Sequence, residues 1–166
     1  MSLARSRSLF FAAFLASLAT LSGASLLENW LGLVPCPLCL TQRLLLGLYA
    51  LVCLCAMLHA PGAAGMRVYA WLAGGFSCAG VALASRQVWL QGEWLAVTPE
   101  PFAQTLQRSW PEALERLLIG GSECVSISWS FLDLTLPEWS LMAFLLLAAL
   151  PLYYLLAYRF RNPGGS

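Results

Sequence analysis

Two cysteines stand two residues apart in Pro35-Cys36-Pro37-Leu38-Cys39-Leu40-Thr41-Gln42-Arg43, just before a long apolar run. Such a pair can cycle between dithiol and disulfide, and the thiolate is the reactive form in that exchange. Arg43 follows Cys39 by four residues. A helix beginning near Cys39 would put its guanidinium one turn below the Cys39 sulfur, on the same face. The helix N-terminus adds partial positive charge. Both effects favour thiolate over thiol, so the stretch reads as a redox centre at a membrane surface.

Other chemistries fit less well. Zinc needs about four ligands. The single histidine, His59, falls on the opposite side of the membrane in the topology below, so no metal site is expected. Covalent haem attachment needs a histidine directly after the second cysteine, and Leu40 stands there. A merely structural disulfide stays open as a reading, although so small a ring is strained and more often redox-active. Cys53, Cys55 and Cys78 sit within apolar runs and read as small packing residues. Cys124 follows Gly120-Gly121-Ser122-Glu123, a segment flexible enough to swing.

The elements that must hold these residues are membrane helices. The 166-residue chain is 60% hydrophobic and 10% charged, against about 45–50% and 25% for an ordinary soluble domain. Four apolar stretches at about 9–27, 41–59, 68–86 and 139–158 come close to the length a spanning helix needs. Tyrosine and tryptophan flank several of them. The expected fold is therefore an all-α membrane protein, a single four-helix bundle over 1–166. Nothing suggests nucleic acid.

Charge sets the orientation. Arg5, Arg7, Arg67, Arg159 and Arg161 lie at the two termini and in the short second connection, and every acidic residue lies in the first or third. The positive-inside rule then places both termini in the cytoplasm. The loops at about 28–40 and 91–138 face the other side, which in a bacterium is the periplasm, where disulfides persist. Arg5, Arg7 and the following apolar run also resemble a signal peptide. That run continues through Leu26-Leu27, which is long for that role and favours an uncleaved helix.

Within the long loop, Ser109-Trp110-Pro111-Glu112 reads as a capping box with proline in the first turn. Leu114, Leu117 and Leu118 mark one face, Glu112, Glu115 and Arg116 the other, and Gly120-Gly121 stops the helix. A short amphipathic helix of this kind lies in the membrane interface. Helix three carries small residues from Gly74 to Ala84 that argue for close packing. Pro151 sits where it can kink helix four.

A membrane C-x-x-C beside a buried arginine needs an electron acceptor reachable from lipid, and a quinone fits both. Arg86, at the outer end of helix three, is either a snorkelling interfacial arginine or a second positive group near that cofactor.

The chain resembles the bacterial disulfide bond formation protein B (DsbB) family of inner-membrane quinone-dependent thiol oxidases. The resemblance covers nearly its whole length. It rests on Pro35-Cys36-Pro37-Leu38-Cys39-x-x-x-Arg43, Arg86-Gln87-Val88-Trp89-Leu90-Gln91, Ser122-Glu123-Cys124 and Trp129-x-Phe131-Leu132-x-Leu134-x-x-Pro137-x-Trp139. It implies that Cys36 and Cys39 form the quinone-coupled pair and that Arg43 is the quinone-site arginine, the quinone being ubiquinone or menaquinone. Cys124 matches the second cysteine of the periplasmic-loop pair. The implied partner is a DsbA-like thioredoxin-fold oxidase of the periplasm.

One departure stands out. The family's loop carries a further cysteine upstream, the one its DsbA partner attacks, and residues 91–123 contain none; the slot falls near Gln104 or Thr105. The chain is then an engineered or divergent form whose entry step differs. A vitamin K epoxide reductase-like enzyme would carry its C-x-x-C at a later helix. A non-catalytic membrane scaffold would account for the apolar helices but not for Arg43 beneath Cys39.

Overall fold

The computed structural model describes residues 3–32, 36–59, 62–91, 109–120, 130–131 and 134–161. Four long helices, α1 (Leu3–Leu31), α2 (Pro37–His59), α3 (Ala63–Gln91) and α5 (Leu136–Arg161), are each long and apolar enough to cross a membrane. The short α4 (Trp110–Ile119) precedes a minimal antiparallel pairing of β1 (Ser130–Phe131) with β2 (Leu134–Thr135). The all-α membrane architecture is as expected from the sequence.

The helices run past the apolar windows at most ends. Arg7, Glu28, Arg67 and Arg86 are all helical, because charge ends an apolar stretch without ending a helix. Local chemistry sets the true ends. Gly32, at φ 61°, closes α1. Pro37 occupies the first position of α2, where its missing N–H costs nothing, and the Cys36 carbonyl takes the first helical bond from Leu40, at 3.2 Å. Thr135 caps α5, its main-chain amide and hydroxyl both donating to Glu138 Oε2, at 2.6 and 2.9 Å.

Around the bundle, α1 packs on α2, α2 on α3 and α3 on α5, and α5 returns to α1. The buried faces repeat at alternating three- and four-residue steps. On α2 they are Gln42, Leu46, Tyr49, Cys53 and Ala56; on α3, Met66, Ala70, Ala73, Ser77, Gly80, Ala84 and Gln87. That is the seam of coiled-coil-like packing. Gly80 is in the seam because any side chain there would overlap the Phe144 ring of α5. Cys53 is a packing residue as expected, whereas Cys78 lies off the seam and is exposed. The outer surface is lined with large apolar side chains such as Phe11, Leu44, Trp71 and Leu146, which suits contact with lipid.

Pro151 lies inside α5. It has no N–H to give the Leu147 carbonyl one turn back. In an apolar bundle that carbonyl needs another donor. The Tyr49 hydroxyl supplies one across the bundle, at 3.0 Å. Tyr49→Phe should therefore destabilise the protein by about 1–3 kcal/mol, the usual cost of an unsatisfied buried acceptor. The same change in a Pro151→Ala background, where the substituted residue supplies its own N–H, should cost much less. Unfolding in detergent by chemical denaturant measures both; equal costs would refute the account.

Candidate functional site

Cys36 caps α2 and Cys39 occupies its third position, so both sulfurs gather at the helix N-terminus. Cys36 Sγ donates to Cys39 Sγ at 3.0 Å. The Cys36 main-chain amide also hydrogen-bonds the Cys39 sulfur, as a capping-box side chain reaches back to its cap. Leu38, between the two, is completely buried.

The third donor comes from α3. Gln87 Nε2 lies 3.3 Å from Cys36 Sγ and 3.1 Å from Cys39 Sγ. Its carbonyl oxygen accepts from Gln42 Nε2 of α2, at 2.7 Å. Both glutamines are buried, 4% and 3% exposed for Gln42 and Gln87. Neither stood out as a site residue in the sequence, although Gln87 falls in the motif beside Arg86. The signal was the seam itself: Gln42 and Gln87 continue the buried repeats of α2 and α3, where an amide must find a partner.

Arg43 does lie one turn below Cys39, but its guanidinium turns toward α1. It pairs with Glu28 and donates to the Ala24 carbonyl at 3.5 Å. Cys39 and Arg43 together line a cleft of about 540 Å³, counting its open side. Glu28, Gln42, Leu136, Pro137 and Phe144 line it too. Its walls are largely apolar with a few convergent polar groups. Arg43, Gln42 and Cys39 bring a guanidinium, an amide and a thiol to its lining, and Leu136, Pro137 and Phe144 bring apolar surface. Glu28 was read from the sequence only as an acidic loop residue; here it is the partner that holds Arg43.

Arg86 is placed elsewhere. Its side chain is exposed, it does not line the cleft, and its Nε donates to the Ile119 carbonyl of α4, at 2.6 Å. Thr41 Oγ1 donates to the Leu117 carbonyl at 2.9 Å. Two of the four carbonyls that a helix end leaves unpaired are thereby satisfied by α2 and α3. Gly120, at φ 86°, ends α4 and rests directly on Leu38 and Leu90. The apolar face of α4 is split: Ala113 is buried and Leu117 half-buried, whereas Leu114 and Leu118 are exposed. At the other end Ser109 Oγ donates to Glu112 Oε2, at 3.1 Å. Cys124 and the slot near Gln104 or Thr105 lie outside the described residues.

A bundle of four apolar helices with a C-x-x-C pair at one end defines a membrane protein of thiol–disulfide chemistry. The family model for "Disulfide bond formation protein DsbB" matches residues 6–154. "Disulfide bond formation protein B 2" of Pseudomonas putida is 59% identical over 161 residues, covering 96% of each chain. The protein of the same name in Pseudomonas entomophila is 58% identical over 164 residues, covering 98% of each. "Disulfide bond formation protein B" of Stutzerimonas stutzeri is 41% identical over 160 residues, 94% of this chain and 98% of its own. The chain belongs to the DsbB family. It is a disulfide-generating oxidoreductase and a multi-pass protein of the bacterial inner membrane.

The clamp on α4 is testable. Each hydrogen bond from Arg86 and Thr41 is worth about 0.5–1.5 kcal/mol, so Arg86→Met and Thr41→Val should each speed amide exchange in 113–119 by roughly two- to tenfold. Hydrogen-exchange mass spectrometry in detergent reads this. Unchanged exchange in both variants would show that α4 is held by packing alone.

Proposed function

We propose that this chain is a thiol:quinone oxidoreductase that reoxidises a periplasmic DsbA-like dithiol oxidase and passes the electrons to a membrane quinone. The carrying observation is that Cys39 and Arg43 line one cleft. Cys36 and Cys39 are the redox pair, Cys39 facing the cleft and Cys36 on the loop side. A bound quinone supplies a two-electron, two-proton acceptor, so that a dithiol leaves the site as a disulfide. Arg43, Gln42 and Cys39 would hold its ring, with Glu28 fixing the guanidinium. Arg43 stabilises negative charge where a quinone oxygen would lie. Arg86 serves in this reading as the anchor of α4 rather than as a cofactor ligand.

Electrons enter through Cys124 in this scheme. Cys124 is four residues after Gly120, and four residues span at most about 14 Å. Gly120 rests on Leu38, between the two cysteines. That chain length is enough to allow a Cys124–Cys36 encounter. An incoming thiolate attacks Cys36, a new disulfide forms, the Cys36–Cys39 bond breaks, and the charge passes to the Cys39 sulfur. Residues 91–123 hold no cysteine, so the step that loads Cys124 involves a thiol of the partner protein directly.

The whole chain forms one membrane domain, with both termini cytoplasmic and the loops at about 28–40 and 91–138 periplasmic. Arg7, which donates to the Met57 carbonyl at 3.3 Å, and Arg67, stacked 4.8 Å over the Tyr158 ring, support the shared cytoplasmic end. An impermeant thiol reagent applied to reduced intact cells should label Cys36 and Cys124 and spare Cys53 and Cys55. Strong labelling of Cys53 would refute the orientation.

The quinone reading is tested on purified protein. Ubiquinone or menaquinone should co-purify, and either should stimulate thiol oxidation. A lost charge-assisted contact is worth about 1.5–3 kcal/mol. Arg43→Met should therefore weaken apparent quinone affinity by one to two powers of ten. Glu28→Gln/Arg43→Met, which leaves no unpaired carboxylate in the cleft, should show the same loss. Unchanged affinity in both, with the fold intact, would refute the site; absence of any quinone response would refute the quinone as electron acceptor.

A further inference from the structure

Resting on the reading of Cys36 and Cys39 as the redox pair, we propose that the Gln87 amide is a catalytic hydrogen-bond donor to the leaving sulfur of Cys39, and that Gln42 is the positioning residue that aims it. The geometry carries this. One amide nitrogen lies within 3.3 Å of both sulfurs. It can give one hydrogen to each, since a primary amide has two donors.

An amide also has an oxygen, and its orientation decides the outcome. Turned over, Gln87 would present its carbonyl to the sulfurs and repel charge there. Gln42 Nε2, 2.7 Å from Gln87 Oε1, pulls the oxygen toward α2 and leaves the NH₂ group facing the cysteines. Both side chains are almost fully buried, so water cannot readily replace either contact. Gln42 also lines the cleft, which ties the aim of Gln87 to the wall of the cofactor site.

The step served is the opening of the pair. A thiolate attacks Cys36 Sγ; the new S–S bond forms as the Cys36–Cys39 bond breaks. The electron pair of the broken bond stays on Cys39 Sγ, with no net gain or loss of electrons or protons. Negative charge therefore moves from the incoming sulfur to Cys39. Hydrogen bonds to an ionised acceptor are roughly twice as strong as neutral ones. The Gln87 contact thus strengthens as charge arrives, which is the condition for lowering a barrier rather than merely holding the resting state.

The test uses the whole protein in detergent and needs neither quinone nor a partner oxidase. In the oxidised form, the rate at which dithiothreitol opens Cys36–Cys39 is measured. In the reduced form, alkylation of Cys39 by iodoacetamide is followed by peptide mass at pH 7 and at pH 10. Gln87→Leu should slow both ring opening and alkylation at pH 7 by about tenfold. At pH 10 the alkylation rates should converge, which a loss of access or of fold would not produce. Gln42→Leu should give a smaller change in the same direction. Combined with Gln87→Leu it should add nothing further, because it acts only through Gln87. If Gln87→Leu does not fold, the near-isosteric Gln87→Glu replaces it and should slow alkylation at pH 7 at least as much. Wild-type rates in a folded Gln87 variant, or additive effects of the two leucine changes, would overturn the proposal. If the wild-type protein never forms a Cys36–Cys39 disulfide, it is the redox reading itself that fails.

Discussion

The hydrogen bond from Gln42 to Gln87 is the constraint that the cysteine end of the bundle is built around. It is a polar link between α2 and α3 at the one level of the seam where side chains carry amides instead of methyls. Below it, Leu46, Tyr49, Cys53 and Ala56 of α2 continue the seam, and Ala84, Gly80, Ser77 and Ala73 do so on α3. An amide pair surrounded by apolar atoms has few alternatives to bonding itself, since an unmet donor or acceptor there costs more than the bond contributes. The pairing therefore specifies the register of α2 against α3, and with it the height of the cysteines relative to Gln87. Small seam residues make the approach close enough for the amide to reach the sulfurs. Gly80, which leaves room for Phe144, extends the same logic to α5 and to a wall of the cleft.

The site sits where three unpaired helix ends meet. At the α2 N-terminus the Cys36 main-chain amide bonds the Cys39 sulfur. The α4 C-terminus gives its carbonyls to Thr41 and Arg86. Thr135 and Glu138 close the N-terminus of α5 beside Leu136 and Pro137, which line the cleft. Membrane helices must satisfy their backbone groups internally over the span. At the cysteine end of the bundle such groups hold α4 and bond the Cys39 sulfur.

How much of this was legible in the sequence follows from what each residue signals alone. Cys36, Cys39 and Arg43 announce themselves by type and spacing, and Pro37 marks the helix start. Gly120 was readable as a stop because a left-handed residue ending an amphipathic helix is nearly always glycine. Glutamine carries no such mark. Gln42 and Gln87 become site residues only through facing each other across two helices 45 positions apart in sequence, and only a heptad reading of both helices would have paired them. Glu28 lies at an apparent loop edge by hydropathy, yet α1 continues through it, which turns it toward Arg43. Arg86 is the opposite case. Its charge and its neighbours in the motif suggested the cofactor, but the exposed face of α3 it occupies points it at α4.

Charge in the cleft and hydrogen bonding at the sulfurs come from different groups. Arg43 is drawn to Glu28, so the cleft wall holds a nearly neutral ion pair rather than a lone cation. An isolated charge at the membrane boundary would be costly, and a pair with further hydrogen bonds is far less so. The donors that reach the sulfurs are instead dipoles: the Gln87 amide, the Cys36 thiol and main-chain amide, and the end of α2. Dipoles of this kind stabilise a charge that comes and goes, because they are already oriented and carry no net charge of their own when it is absent. A C-x-x-C pair that alternates between a neutral disulfide and a charged thiolate needs that property more than it needs a neighbouring cation. In this chain the cation lines the cleft and the amides bond the sulfurs.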